Sequence, residues 1–497
     1  MIFQFFNFSI FKRVIFCAVF LSGFLMWGNA SAATINVADY GDGTASLDNF
    51  LTAYAATSEN DTILFPENGS ATWETYATIS KAITINGNGT TLTAGAGMDG
   101  EYGDYGFFNV SSIISSNLIR ITEFTFQMTN FTPAVAIYVH DLTADNVRID
   151  HNNFYHGSKA IMFYNPKGLI DNNHIYDGNL PVEYSAGNRT SADVSWVSLA
   201  AGTAEAAFIE DNHFIITSSY TGASFNEQIG TFNGGKLVIR RNTFDSTDSP
   251  LGTEFTFTPI MTHGSQGWSA SGYYWEAGSE NRRGQSVVEI YDNTMVGPRI
   301  DRPVIARGSA NIIYNNTIAG TYNTETGALR YNPSIYLREE EYASDGGAIY
   351  EIHRTSWPAE DQIHNTFIWN NTYRNHDFNE NIYGSIMATD ELTQDKDYYL
   401  HKPCYSSDTE DGYGNTCTHG SESFVNLNGY TDGNGGSASY PAIDDGGLSY
   451  TAHGTMIFTA TGDNAYADYE PYTYPHPLRT EAYDIVAPAS PTGLSVQ

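Results

Sequence analysis

The sequence predicts an all-β chain wound into a right-handed parallel β-helix, a solenoid of about eight to ten coils, and three observations predict it. A unit of the form Ile-x-x-Asn-x-apolar recurs seven times, as IDHNNF, IDNNHI, IEDNHF, IRRNTF, IYDNTM, IYNNTI and IWNNTY. Its Asn positions are 152, 173, 212, 242, 293, 316 and 371, separated by 21, 39, 30, 51, 23 and 55 residues; the shortest gaps set the coil and the others hold insertions. Upstream of most units runs a second alternating apolar stretch: AIYVHD, AIMFYN, VSWVSLA, IGTFNG, PIMTHG, PVIARG and SIYLRE. A coil of roughly two dozen β-branched, alternating residues is too short for a helical hairpin and suits three short strands.

Residues 1–32 read as an export signal: Lys12 and Arg13, the apolar run VIFCAVFLSGFLMWG, then Ala30-Ser31-Ala32. The mature chain is expected to be secreted, at the cell surface or in the periplasm. Residues 33–80 form the N-terminal cap and the entry to the solenoid, where Ser46 N-caps a short helix with Leu47, Phe50, Leu51 and Tyr54 on one face. Residues 81–375 form the β-helix. Ile149, Phe154, Ile170, Ile175, Ile209, Phe214, Ile239 and Phe244 are its inward columns. Each repeated Asn takes the same tight bend, its amide bonding to its counterparts in the coils above and below, so the N-x-S/T triplets here are ladder residues rather than glycosylation sites. The repeat then fades into an irregular C-terminal cap over 376–486, rich in Tyr, Gly and Asp, and a linker-like tail, APASPTGLSVQ, over 487–497. Cys404 and Cys417 are an even pair in an exported chain and predict one disulfide.

The formal net charge is −33, and loss of residues 1–32, which hold two cationic and no acidic residues, takes it to −35. Such a chain is a poor partner for nucleic acid or anionic membranes, and no later stretch is apolar enough to span one. A monomer is expected. Acidity of this size serves solubility and says nothing of chemistry.

ENDTILFPENGSATW, ISKAITINGNG, NVRIDHNNF and GLIDNNHI together resemble secreted bacterial right-handed β-helix proteins of the pectate-lyase-like superfamily, over roughly residues 35 to 375. That superfamily hosts lyases, hydrolases, epimerases and adhesins, so the resemblance is specific for fold and weak for substrate. It implies a groove along the first strand of each coil, flanked by the loops that follow. Pectate lyases gather several carboxylates around Ca²⁺ in that groove, whereas this strand offers only Asp141 and Glu339 at opposite ends. No cofactor is therefore required, and Ca²⁺ is the alternative; the acidic Gly-rich pieces lack the alternating spacing of a calcium loop.

Alternation along the first strands puts Ile137, Val139, Ile161, Phe163, Ile260, Val304, Ala306, Ile335 and Leu337 inside. The outward row then reads His140, Tyr164, Ala200, Asn233, His263, Arg307 and Arg338. His263, Arg307 and Arg338 fall within ~10 Å of one another at a strand spacing of ~4.8 Å. Two long insertions flank the row. Residues 264–285 carry Trp268, Tyr273, Tyr274, Trp275, Arg282 and Arg283, and residues 339–361 carry His353, Arg354 and Trp357. Aromatic faces stack on sugars and guanidinium forks match carboxylates.

The row fits β-elimination on a uronate-containing, anionic polysaccharide. Removing the proton α to a carboxylate builds an enolate-like dianion, which needs a base and aimed positive charge. His263 is assigned as base and Arg307 as neutraliser, with Arg338, Tyr164 and His140 completing the catalytic set; Asn233 and the loop aromatics and cations bind neighbouring sugars. A C5-epimerase would use the same parts. The rival is a glycoside hydrolase using Asp150, Asp171 and Glu210, which stack on successive coils of the second strand, although solvated or ladder-capping acids explain that row as well. A non-catalytic glycan-binding surface is the third reading.

Overall fold

The computed structural model describes residues 32–98, 106–128, 135–140, 146–185 except 158 and 166, 201–217, 226–231, 236–249, 257–262, 287–297, 300–319 except 301 and 309, 335–338, 363–375, 378–381, 386–388, parts of 392–416, and 469–479. The chain is a right-handed parallel β-helix of three sheets. Among the described residues sheet 1 has twelve strands, from Thr34–Asn36 to Tyr398–Tyr399; sheet 2 has eleven, from Ser70–Trp73 to Phe378–Asn381; sheet 3 has ten, from Ala77–Ile79 to Ile386–Ala388. One coil visits them in turn, as Val135–Val139 in sheet 3, Val147–Asp150 in sheet 1 and Asn153–Tyr155 in sheet 2. Among the described strands pairing is parallel except where Thr372–Asn375 meets Phe378–Asn381, and an isolated antiparallel bridge joins Glu410 and Thr416.

Strands also lie outside the 81–375 span at both ends, and the ten described strands of sheet 3 agree with about eight to ten coils. The early coils escaped the repeat search because their core is built differently. Where later coils carry the ladder Asn, the coil of Ile119–Thr122 carries Phe124, whose backbone N–H donates to Asn152 Oδ1 at 3.0 Å. Phe124 joins Phe65, Phe108 and Phe126 in a packed aromatic cluster at centroid distances of 5.0, 5.4 and 5.4 Å. The capping helix Leu47–Ala55 closes this cluster with Phe50, 5.6 Å from the Trp73 ring, and Ser46 Oγ accepts from Asn49 N–H as its cap. Leu51 departs from the expected face: it is 41% exposed while Phe50 and Ala53 point inward.

Above the aromatic plug the Asn ladder runs unbroken from 152 to 371. Asn242 shows its chemistry. Its Nδ2 donates to Asn293 Oδ1 (3.1 Å), Ile209 O (2.9 Å) and Arg240 O (3.1 Å), while its Oδ1 accepts from both Asn212 N–H and Asn212 Nδ2 (3.0 Å each). The residue before each ladder Asn adopts a left-handed backbone: His151, Asn172, Asp211, Arg241, Asp292, Asn315 and Asn370. That bend swings the Asn side chain along the helix axis, and short polar residues tolerate it best. Beside the ladder, Ile149, Ile170, Ile209 and Ile239 pair in register, as do Phe154 with Ile175 and Phe214 with Phe244, all within one apolar core.

Candidate active site

Sheet 3 presents the face on which sequence reasoning placed the groove. Ile137 pairs with Ile161, Val139 with Phe163, Ile260 with Val304, and Ala306 with Leu337, and all are buried in the core as expected. Their neighbours therefore face out. His140 follows Val139 and Tyr164 follows Phe163, so the two stand on adjacent strands, one spacing of ~4.8 Å apart. The Tyr138 ring ties them together: it stacks on His140 at 4.3 Å and meets Tyr164 edge-on at 5.6 Å.

Two residues that sequence reasoning did not select complete this cluster. Glu183 pairs with Met162 in the next coil and turns outward, where one carboxylate oxygen accepts from the Tyr164 hydroxyl and the other meets Lys159 Nζ. Tyr164, Lys159 and Glu183 are all nearly buried on the outer face, which makes the charge pairing obligatory. His140 Nε2 lies 2.8 Å from Asn109 Oδ1. An amide oxygen only accepts, so Nε2 carries the hydrogen and Nδ1 is the basic atom of the neutral ring.

The register corrects one strand of the outward row. In the coil assigned to Ala200, the place in sheet 3 between Lys159–Tyr164 and Asn226–Thr231 is taken by Val182–Ser185, and Ala200 lies outside the described residues. VEYS carries only two apolar positions and two turn-forming neighbours, too weak a pattern to stand out from VSWVSLA. Thr231 pairs with Thr262, and Asn233 lies outside the described residues.

Farther up the sheet, Arg307 pairs with Arg338 as expected, and Thr262, the residue before His263, pairs with Ala306, the residue before Arg307. His263 itself, Trp268, Tyr273, Tyr274, Trp275, Arg282, Arg283, His353, Arg354, Cys404 and Cys417 lie outside the described residues, as does the side chain of Arg338. Arg307 sits four strands from Tyr164, roughly 19 Å away at the usual spacing, so a single chemical step does not use both. The candidate catalytic set thus divides into a lower group, His140 and Tyr164, and an upper group around Arg307.

Sheet 1 carries the rival row in the expected register: Asp150, Asp171, Glu210, Arg240, Tyr291, Tyr314 and Trp369 pair in sequence. Its surroundings are not those of an open catalytic pair. Asp150, Asp171 and Glu210 are fully buried, and each is bound by arginine: Asp150 by Arg120 (2.8 and 2.6 Å), Asp171 by Arg148 (2.9 Å twice), Glu210 by Arg240 (2.7 Å). The segment 469–479 lies over them as a strap. Arg240 donates to Tyr472 O (2.6 Å) and Thr473 O (2.9 Å), Arg148 to Leu478 O (3.3 Å), and His476 N–H to Glu210 Oε1 (3.2 Å). Arg479 reaches back to Asp211 and to Glu210 (3.3 Å). Burial raises Asp171 to about 7, against the Arg148 hydrogen bonds and with repulsion from Asp150 and Glu210. Burial would raise Asp150 too, but Arg120, His151 and Arg148 hold it at about 2.

No protein-family model and no curated protein sequence matches this chain. Among solved structures, it is similar to an alginate lyase from Paenibacillus sp. str. FPU-7, at 13% identity and a TM-score of 0.36, covering 69% of this chain and 87% of that one. It is also similar to a mutant of a PL6-family alginate lyase, at 13% identity and a TM-score of 0.31, covering 76% of this chain and 52% of that one, about half its length.

Lys159 and Glu183 left a faint trace in the sequence. Lys159 opens KAIMFY, at a strand position whose partner one coil away is Val135, and Glu183 sits mid-strand in VEYS. A charge inside an apolar strand on consecutive coils is the signal that could have found them. Among the described residues no three His, Cys, Asp or Glu side chains gather as a metal-binding set, and no helix is long and apolar enough to cross a membrane.

Proposed function

We propose that the chain is an exported, monomeric lyase that cleaves an acidic, uronate-containing polysaccharide by β-elimination on the outer face of sheet 3. The observation that carries this reading is the pairing of His140 with Tyr164 on adjacent strands, backed by the Lys159–Glu183 pair. His140 Nδ1 takes the proton α to the uronate carboxylate. The Tyr164 hydroxyl, oriented by Glu183, gives its proton to the departing glycosidic oxygen, and the phenolate is restored by the proton held on His140. Lys159 supplies positive charge on the same face while the dianion forms. The steps need no cofactor, with Ca²⁺ as the alternative.

A second centre on the same face, His263 as base with Arg307 as neutraliser, is favoured by the register that aligns Thr262 with Ala306. A C5-epimerase would use either centre and return the proton to the opposite sugar face. The hydrolase reading loses support because its three carboxylates lie buried beneath the strap and saturated with arginine.

The test is incubation with alginate, polygalacturonate and a glycosaminoglycan, following both reducing ends and the ultraviolet absorbance of an unsaturated uronate. Elimination raises both, hydrolysis raises reducing ends alone, and an epimerase or binding protein raises neither. Tyr164→Phe and His140→Ala are each expected to lower the elimination rate about a hundredfold or more. Full activity in both, with loss in His263→Ala, moves the chemistry to the upper centre.

A further inference from the structure

Arg302 stands just before the strand Val304–Arg307, on a left-handed backbone, and no part of the proposed chemistry uses it. Its guanidinium lies over the Tyr336 ring at 5.7 Å. Arg302 Nε is shielded from solvent yet has no hydrogen-bond partner, and no ion pair to it occurs among the described residues. In a chain with 56 acidic and 23 Lys or Arg residues, a half-buried guanidinium without a carboxylate is not a product of composition. It is held by an aromatic face instead, which leaves its hydrogen-bonding edge uncommitted.

The ground beside it is apolar and faces outward. Met261 pairs with Ile305 and Ile305 with Tyr336, forming one outward column across three coils. Arg302 borders this column at one end of its strand and Arg307 at the other. A half-buried aromatic face beside a guanidinium fits a sugar ring that carries a carboxylate: the ring's C–H face lies on Tyr336, which is backed by the buried Ile305, and the acid meets the fork of Arg302.

We propose that Arg302 and Tyr336 form a binding subsite for a uronate residue of the polysaccharide, remote from the bond that breaks. This rests on the reading of sheet 3 as the polysaccharide groove. Tyr336 lies five strands from Tyr164, roughly 24 Å along the sheet. The subsite therefore grips a sugar several residues along the chain and makes the protein a binder of long polyuronates in preference to short fragments.

Affinity electrophoresis through gels cast with alginate or polygalacturonate tests it, with neutral dextran as the control gel. Wild-type protein is expected to be retarded by the polyuronates and not by dextran. Arg302→Gln should bind them about tenfold more weakly, the loss of one charge-assisted contact, and Arg302→Lys should recover only part of that loss because an ammonium lacks the planar fork. Tyr336→Ala should weaken binding similarly, and circular dichroism checks that each variant keeps its β signal. Equal retardation of Arg302→Gln and wild type in both polyuronate gels overturns the subsite. If retardation depends on Arg302 while no unsaturated product ever forms, the subsite stands and the lyase reading fails.

Discussion

Replacing Glu210 by Gln separates a structural carboxylate from a catalytic one. Glu210 is fully buried, and its two oxygens accept from Arg240 Nε at 2.7 Å, from His476 N–H at 3.2 Å and from Arg479 Nη1 at 3.3 Å. Gln keeps the size but removes the charge that compensates two guanidiniums. Removing one partner of a buried pair costs about 3–5 kcal/mol, and an amide that still accepts one hydrogen bond places the loss near the lower end, about 3 kcal/mol. At about 1.4 kcal/mol per decade, the docked strap becomes roughly a hundredfold less populated relative to the released one. Stability in a solenoid is set by nearest neighbours, so the loss should stay local. Hydrogen exchange is the assay. Amides of residues 469–479 are expected to exchange roughly a hundredfold faster, at the energy just worked out, while those of the Asn ladder near residue 371 keep their protection. Wild-type exchange in the strap together with abolished turnover would refute this reasoning and restore Glu210 as a hydrolase acid or nucleophile.

Two further predictions concern what holds the solenoid. Asn242→Ala strands the Asn212 amide and removes a donor from Ile209 O, Arg240 O and Asn293 Oδ1, so it should cost about 3–4 kcal/mol, read as a lowered denaturation midpoint; a midpoint equal to wild type means the ladder is incidental. The strap should also respond to pH. Burial, then Arg240, Arg148 and Arg479, push His476 from 6.5 to about 3, so its contribution is complete above pH 6.5 and is lost as pH falls toward 3. Asp171 acts oppositely: raised from 3.8 to about 7, it contributes fully below pH 3.8 and loses that contribution as pH rises through 7. The two slopes oppose between 3.8 and 6.5, where wild type should vary little, and below 3.8 the loss of Asp150 steepens the decline. His476→Phe removes one slope, so melting temperatures should then fall steadily from pH 3.8 to 7; a level profile in that variant contradicts the balance.

The ladder, the inward columns and the outward row of sheet 1 were legible because each repeats one residue type at one structural position. Ile149, Asn152 and Phe154 recur on coil after coil, and period-two alternation leaves no other register. The first coils were illegible for the complementary reason: Phe124 takes the place of the ladder Asn and packs with Phe65, Phe108 and Phe126, and a core filled by aromatic shape has no repeating letter. His140 and Tyr164 were found by alternation alone. Lys159 and Glu183 were missed because each leaves only a single charge inside an apolar strand; the two are 24 residues apart in sequence and meet only through coil stacking. The strap was missed more completely, since Arg479 and Asp211 are joined across most of the chain.

The strap also sets the faces of the solenoid apart. On sheet 1 the polar row is consumed by intramolecular partners: Tyr469 donates to Glu289 at 2.8 Å, and Tyr291, Tyr314 and Trp369 stack on one another at 4.8 and 4.4 Å. A polysaccharide entering there would have to displace that network and leave buried carboxylates and guanidiniums unpaired, which costs several kcal/mol per pair. On sheet 2 the outward column is small and uncharged over Thr243, Thr294 and Thr317, while lower coils carry His174 and His213, the latter beside Asp245, and among the described residues no cationic Lys or Arg pairs with them there. Sheet 3 differs from both. It carries a cation, a carboxylate, a phenol and an imidazole within three consecutive coils, and guanidiniums farther along the same face. Its exchangeable partners are short-range side-chain pairs within the sheet, such as Lys159 with Glu183 and Tyr164 with Glu183, whereas those of sheet 1 tie the solenoid to the strap.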